Sequence, residues 1–259
     1  MRLFGLIGFP LTHSFSKKYF TEKFTSEGII DACYELFELP DIEAFPQLLA
    51  DHPQLRGINV TIPHKVNIIP FLGQVENAAS RIGAVNVIKV LPNGQTIGYN
   101  SDYFGFRDSL VNWFTEIYDS AGAGKLASVK ALILGSGGAS KAVRTALEDM
   151  GIPYQIVSRQ HENGLTYEQL DESTVANHQL IINSTPLGTY PKTDAFPPFP
   201  YHLTGTDHCF YDLVYNPVET VFMQKGQERG GKTLNGLPML RLQAEKSWEV
   251  WNTPEITLE

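Results

Sequence analysis

Val129-Lys130-Ala131-Leu132-Ile133-Leu134 runs directly into Gly135-Ser136-Gly137-Gly138-Ala139-Ser140. The first six residues predict a buried strand, and the stretch from Ser140 to Met150 predicts a helix. A glycine-rich turn between a strand and a helix is a nucleotide-binding context. Gly135 permits the tight turn, Gly137 lets the backbone approach a pyrophosphate, and the helix N-terminus favours the negative charge. Ser140 stands where the common pattern has its third glycine. A purely structural turn is the competing reading, and the strand–turn–helix context weighs against it.

Reading downstream, the next strand is expected over Tyr154–Val157 and ends in Ser158-Arg159-Gln160. A site for NAD places an acid about 20 residues past the glycines to hold the ribose 2′-hydroxyl. No acid stands at this strand tip. Arg159 offers a planar fork for a 2′-phosphate, which points to NADP; the bland alternative is a solvated arginine. Further strands are expected at Leu180–Asn183, Phe210–Val214 and Lys232–Leu234. Strands alternating with helices predict a parallel sheet covered on both faces. A last helix is expected from Pro238 to Trp251, with Leu237, Leu240, Ala244 and Trp248 along its apolar face and Gln243 at the edge.

Upstream, strands are expected at Leu3–Gly8, Tyr34–Leu39 and Gly57–Ile62. Ser16 reads as a helix N-cap with Phe15 and Phe20 as a hydrophobic staple. A second helix is expected at Ile42–Ala50, and Pro63 reads as the first residue of a third. Val85–Leu91 and Gln95–Tyr99 predict a hairpin around Asn93-Gly94. A two-residue turn there would pair Asn86 with Ser101 and Val85 with Asp102, placing Asn86 and Asp102 at one open end. Ser109–Ser128 predicts a loose helix followed by a glycine-rich stretch.

The chain has 259 residues, 42% of them hydrophobic and 19% charged. At ~150 residues per domain that corresponds to about two domains with packed cores. Twenty Lys+Arg against 28 Asp+Glu give a net charge of −8, which argues against a nucleic-acid partner. The two cysteines, Cys33 and Cys209, have no disulfide-scaffold or metal-site spacing. The apolar start, Met1 to Gly8, is too short to span a bilayer and lacks a signal-peptide pattern. A soluble cytoplasmic protein without membrane partners is expected, and the oligomeric state, monomer or homodimer, is not legible.

The first hundred residues carry a second polar set. In Asn59-Val60-Thr61-Ile62, Val60 and Ile62 face one way and Asn59 and Thr61 the other. Pro63-His64-Lys65 then turns into a helix, so Asn59, Thr61 and Lys65 can share a cleft. Neutral hydrogen-bonding groups around one ammonium suit a small polyhydroxylated acid. His64 reads as structural.

These segments resemble the shikimate dehydrogenase family. Gly8-Phe9-Pro10-Leu11-Thr12-His13-Ser14-Phe15-Ser16 is similar to its substrate loop, and Asn59 through Lys65 to its lysine motif. Gly83-Ala84-Val85-Asn86, Gly98 through Phe106, Asp212-Leu213-Val214-Tyr215-Asn216-Pro217 and Gly236 through Gln243 resemble the remaining motifs, in order. The resemblance implies an α/β fold with two domains. A substrate-binding domain would take 1–102 and 238–259, and a Rossmann-type NADP domain 103–237, with the last helix returning to the substrate domain. It implies reversible NADPH-dependent reduction of 3-dehydroshikimate to shikimate, in chorismate and aromatic amino-acid biosynthesis. Lys65 and Asp102 would be the catalytic pair. Ser14, Ser16, Asn59, Thr61, Asn86, Tyr215 and Gln243 would bind the substrate beside them. Gly135, Ser136, Gly137, Gly138, Ala139, Ser158, Arg159, Ser184, Thr185, Leu213 and Gly236 would bind NADP.

The chain departs from the family pattern in places. Lys17 replaces a usual proline, Ser101 a usual threonine, and Ser158-Arg159-Gln160 a usual Asn-Arg-Thr. No second basic residue follows Arg159, since His161 and Glu162 come next. Two alternatives stand beside the main reading: a quinate/shikimate dehydrogenase using NAD, against which Ser16 and Arg159 argue, and a non-catalytic dinucleotide-binding sensor, against which Lys65 and Asp102 argue.

Overall fold

The computed structural model describes residues 1–11, 14–160 and 164–254. The chain divides into two units, Met1–Ser101 with Gln243–Glu259 and Asp102–Leu242. The division points are therefore 101/102 and 242/243, where the sequence reading places them at 102/103 and 237/238.

The first unit is built on β1 (Arg2–Gly8), β2 (Ala32–Glu38), β3 (Leu55–Val60), β4 (Gln74–Val75), β5 (Val87–Val90) and β6 (Thr96–Tyr99), in the order β2-β1-β3-β5-β6-β4. β1 pairs in parallel with both β2 and β3, while β5 runs antiparallel to β3 and β6. From Leu3 to Gly8, β1 is buried throughout, which is why it reads as a continuous apolar run rather than an alternating one. Its side chains still alternate. Leu3 and Ile7 enter one core layer with Leu48, Ile58 and Ile68, whereas Phe4 and Leu6 enter another with Phe20, Phe24 and Trp251. The unit's helices are α1 (Phe15–Ser26), α2 (Phe45–Asp51), α3 (His64–Asn67) and α4 (Asn77–Ile82).

Several local expectations shift. The N-cap of α1 is Ser14, not Ser16: its hydroxyl accepts from the Lys17 N–H at 3.2 Å, and Ser16 lies inside the first turn. Phe15 is then the first residue of the helix, so Phe15 and Phe20 do not occupy the N′ and N4 positions of a hydrophobic staple. The strand at Gly57–Ile62 ends at Val60, and the helix at Ile42–Ala50 begins as a 3-10 turn, Ile42–Ala44. Pro63 caps α3 rather than opening it. The hairpin pairs Val87 with Tyr99 and Val90 with Thr96. The Leu91 N–H donates to Gln95 C=O at 2.9 Å, so three residues, Pro92, Asn93 and Gly94, make the turn. Gly94 takes φ +83°, the left-handed position that closes such a loop. This moves the register by one residue from the two-residue count. The short strand β4 was not anticipated.

The second unit contains β7 (Ala131–Leu134), β8 (Tyr154–Ser158), β9 (Leu165–Thr166), β10 (Leu180–Asn183), β11 (Cys209–Asp212) and β12 (Lys232–Leu234). All its strand pairs are parallel and the order is β9-β8-β7-β10-β11-β12. Numbered within the unit, that is 3-2-1-4-5-6, the doubly wound dinucleotide-binding arrangement. The order reverses between β7 and β10. Helices α6 (Gly122–Ser128), α7 (Gly138–Asp149), α8 (Glu172–Ala176) and α9 (Val221–Gln227) belong to it. β9, only two residues long, was not anticipated.

Helix α5 (Ser101–Tyr118) starts eight residues before the expected 109 and stops at a 3-10 turn before α6. Helix α10 (Leu237–Asn252) runs one residue beyond the expected bounds at each end. Its buried positions include Gln243, Ala244, Ser247, Val250 and Trp251, so the buried stripe is rotated from the one expected: Leu237, Leu240 and Trp248 are only partly covered.

Candidate active site

Within the first unit, the candidate substrate residues gather at the carboxyl edge of β1 and β3 and at the facing start of β5. Ser14 and Ser16, both half-buried, open α1 after β1. Asn59 is in β3, and Thr61 follows it, its N–H donating to the Ile7 C=O at 2.9 Å. Lys65 is half-buried in α3, and its C=O accepts from the Val85 N–H at 2.7 Å, tying the lysine turn to the Gly83–Asn86 segment.

A buried polar network links these positions. The Tyr34 hydroxyl donates to Asn59 Oδ1 at 2.8 Å, and Ser16 is its other hydrogen-bonding neighbour. Burial pushes the phenol far above its usual range and Ser16 works against that shift. Asn59 Nδ2 donates to Ser247 Oγ at 3.0 Å and to the Asn86 C=O at 3.4 Å. Ser247 donates to the Gln243 C=O at 2.8 Å. The Ser101 hydroxyl lies 3.2 Å from Gln243 Oε1 and 3.3 Å from Asn86 Oδ1. Asn86 Oδ1 also accepts the Ser101 N–H at 2.6 Å, so a side chain from before β5 satisfies an orphan donor at the start of α5. Ser16, the lysine strand and the last helix are thereby joined in one polar set.

His64 is buried, with Nε2 2.5 Å from the Leu39 C=O, a structural contact. Lys17 pairs with Glu35 at 2.7 Å, so its charge is neutralised there.

Asp102 and Tyr215 belong to the second unit. Asp102 is half-buried in the first turn of α5, where a carboxylate complements the helix dipole. Tyr215 is 42% exposed, beyond β11.

The nucleotide candidates line the carboxyl edge of the second sheet. Gly135 takes φ +108°, and a side chain there would strike Thr185 and Ser184. Ser184 donates its hydroxyl to the Leu134 C=O at 2.8 Å, closing the switch point between β7 and β10. A Cβ added at Gly137 or Gly138 would meet nothing within 4 Å. That open ground lies at the N-terminus of α7, where uncapped N–H groups and the dipole favour a phosphate; Ser136 and Ala139 are exposed beside it. Ser158 ends β8 with its hydroxyl on the Gln160 C=O at 2.6 Å, and exposed Arg159 follows, close enough to lower the Tyr167 phenol, which burial pushes up to about 12. Leu213 N–H donates to the Asn183 C=O, and Gly236 N–H to the Val214 C=O, each at 3.0 Å. These residues fit a dinucleotide. His161 and Glu162 lie outside the described residues.

A profile of the shikimate dehydrogenase substrate binding domain matches residues 6–88. The NADP(+) shikimate dehydrogenase of Methanococcus maripaludis is 35% identical over 96% of this chain and 91% of its own. The chain belongs to the shikimate dehydrogenase family. The crystal structure of the Aquifex aeolicus shikimate dehydrogenase superposes with a TM-score of 0.81 at 34% identity, over 99% of this chain and 94% of that one. That of the Thermus thermophilus shikimate 5-dehydrogenase with NADP(H) and shikimate gives 0.80 at 29%, over 97% and 94%.

Sequence reasoning missed Tyr34, Ser247 and the buried partners of Asp212. Alternation in β2 marks Tyr34 as inward-facing, but nothing local marks its hydroxyl as Asn59's partner. Ser247 sits four residues after Gln243, a helical spacing that a search for polar residues on one face would have found.

Proposed function

We infer that this chain catalyses the reversible NADPH-dependent reduction of 3-dehydroshikimate to shikimate, a step toward chorismate and the aromatic amino acids. One observation carries the reading: the chain is 35% identical to an NADP(+) shikimate dehydrogenase over 96% of its length, a span that takes in both units.

NADPH, when bound, supplies the hydride. The chain supplies the rest. The Lys65 ammonium stabilises the negative charge that grows on the ketone oxygen and donates a proton from Nζ; in the oxidative direction it accepts that proton from the hydroxyl. Such help is typically worth ~10²–10⁴-fold. Asp102 is the other member of the proposed catalytic pair and accepts a hydrogen bond from a substrate hydroxyl. Ser14 and Ser16 hold the carboxylate, while Asn59, Thr61, Asn86, Tyr215 and Gln243 bind the ring and its hydroxyls. Gly135 to Ala139 hold the pyrophosphate, Arg159 with Ser158 the 2′-phosphate, and Ser184, Thr185, Leu213 and Gly236 the remainder. In this proposal residues 1–102 and 238–259 carry the substrate and 103–237 the cofactor.

Among the described residues no helix is long and apolar enough to cross a membrane. In this proposal the partners are small molecules and the location is the cytoplasm; the net charge of −8 weighs against a nucleic-acid backbone as partner.

The decisive experiment is NADP⁺-dependent oxidation of shikimate by the purified protein, with quinate and NAD⁺ as comparison substrates. The expected result is fastest turnover with shikimate and NADP⁺. Faster turnover of quinate with NAD⁺ would replace this reading by the quinate one, and no turnover with any pair would favour a dinucleotide-binding sensor.

A further inference from the structure

Asp212 closes β11, and the chemistry above gives it no task. It is completely buried. Its Oδ1 accepts from Asn183 Nδ2 and from the Val214 N–H, each at 2.9 Å, and its Oδ2 accepts from the Thr220 hydroxyl at 2.6 Å. Burial pushes its carboxyl up to about 6, with the three donors pulling the other way. A buried carboxylate held by neutral donors is an expensive way to fill space, so its acceptor geometry calls for an explanation.

That explanation lies in Asn183, which is also completely buried. Facing a group that only accepts, Asn183 must present Nδ2 toward β11 and Oδ1 toward the loop after β10. Oδ1 then accepts from the Thr185 N–H at 3.0 Å and from its hydroxyl at 2.7 Å. The Thr185 hydroxyl oxygen accepts in turn from the Leu187 N–H at 3.2 Å, while Asn183 Nδ2 reaches the Leu187 C=O at 3.4 Å. On the other side, Asp212 fixes the Val214 N–H, and the Val214 C=O accepts from Gly236. One carboxylate thus orders the segments that hold Ser184, Thr185 and Leu213, and through the Val214 C=O it reaches the N–H of Gly236.

We propose that Asp212 is a positioning residue for the dinucleotide, holding residues 184–187 through Asn183, and the 213–214 turn directly, in the conformation that receives NADP. This rests on the NADP-dependent function inferred above.

The test compares wild type, Asp212→Ala and Asp212→Asn by the dissociation constant for NADPH from fluorescence, the KM for shikimate and thermal stability. Asp212→Ala deletes the acceptor and is expected to weaken NADPH binding about tenfold or more, the scale of one or two lost aligned hydrogen bonds. The shikimate KM should change by a smaller factor than the NADPH dissociation constant, because Tyr215 alone among the proposed substrate residues adjoins the 213–214 turn. Asp212→Asn keeps an oxygen for Asn183 and Val214 while Thr220 turns to accept, so NADPH binding should recover to within about threefold of wild type. Asn183→Ala breaks the link to Thr185 with the carboxylate in place; it should weaken NADPH binding like Asp212→Ala and decides the matter if the latter does not fold. A lowered melting temperature with unchanged NADPH affinity would reduce Asp212 to a packing role and overturn the proposal. Equal impairment in Asp212→Asn and Asp212→Ala would overturn it too, since charge and not acceptor geometry would then matter. Wild-type protein that neither binds NADPH nor oxidises shikimate would overturn the function itself; normal wild type beside a normal Asp212→Ala would overturn this inference alone.

Discussion

Lys65 carries the proposed proton chemistry, so Lys65→Ala should lower kcat by roughly 10²–10⁴-fold with the shikimate KM little changed, a split that steady-state kinetics measures directly. Tyr34 acts one bond further back. Tyr34→Phe removes the donor to Asn59 Oδ1 and the neighbour of Ser16. It should cost ~1–3 kcal/mol of stability for the stranded buried oxygen and raise the shikimate KM more than that for NADP⁺. Chemical denaturation and initial rates separate the two effects. Asp212 makes a pH prediction whose sign is fixed. Its folded carboxyl is raised to about 6 from an ordinary value of 3.8, so the folded protein holds the proton more tightly than the unfolded chain. The stability linked to this group is therefore complete below the ordinary value and is lost as pH rises through about 6. The melting-temperature difference between wild type and Asp212→Asn should accordingly shift in favour of wild type as pH falls from neutral toward 4; a flat difference across that window would count against a titrating Asp212. Lys65, Asp102 and Arg159 were legible as residue types in context. Tyr34 and Ser247 carry a local trace as inward-facing positions, but not as partners of Asn59, which lies 25 and 188 positions away.

At the scale of elements, the longer strands and the helices α1, α2, α5, α7 and α10 were legible in the sequence, whereas β4, β9, α4, α8 and α9 were not, and the shifted boundaries have causes both local and tertiary. Ser14 and Ser16 are both adequate caps, and the choice fell to the one whose hydroxyl reaches the Lys17 N–H. The hairpin turn holds three residues because Gly94 takes the left-handed position at its end, a difference composition alone does not reveal. Helix α5 starts at Ser101 because Asn86, from another element, supplies the acceptor for its first N–H. The aromatic layer joining α1, β1, β2 and α10 is tertiary in origin: Phe20 stacks on Tyr34 with centroids 4.8 Å apart and lies 5.2 Å from Trp251. Phe20→Ala should cost ~3–5 kcal/mol. Thermal unfolding followed through the tryptophans would show it, and a change below about 1 kcal/mol would mean the layer closes over the void.

At the scale of the whole molecule, cofactor preference is read as ligand-linked stability. NADP⁺ at ~100 times its Kd should raise the stability of the unit that binds it, proposed above to be the second, by ~2.7 kcal/mol, visible as a melting-temperature increase. NAD⁺, lacking the 2′-phosphate, should do less at equal concentration. Arg159→Ala should shrink the NADP⁺ effect while leaving that of NAD⁺ unchanged; equal losses for both would remove Arg159 from 2′-phosphate recognition.

By itself the sequence determined the α/β class, the glycine turn at the end of β7, the arginine after β8 and the polar types around Lys65. Each depends on neighbours within a few positions, through alternation, turn chemistry or helix capping. Only the tertiary structure decided the 3-2-1-4-5-6 strand order, the rotated buried stripe of α10 and the Tyr34–Asn59–Ser247 and Asp212–Asn183–Thr185 hydrogen-bond chains. Those depend on which buried donors find acceptors once distant strands pair, and a hydrogen bond at 2.9 Å is satisfied by position in space rather than by position along the chain.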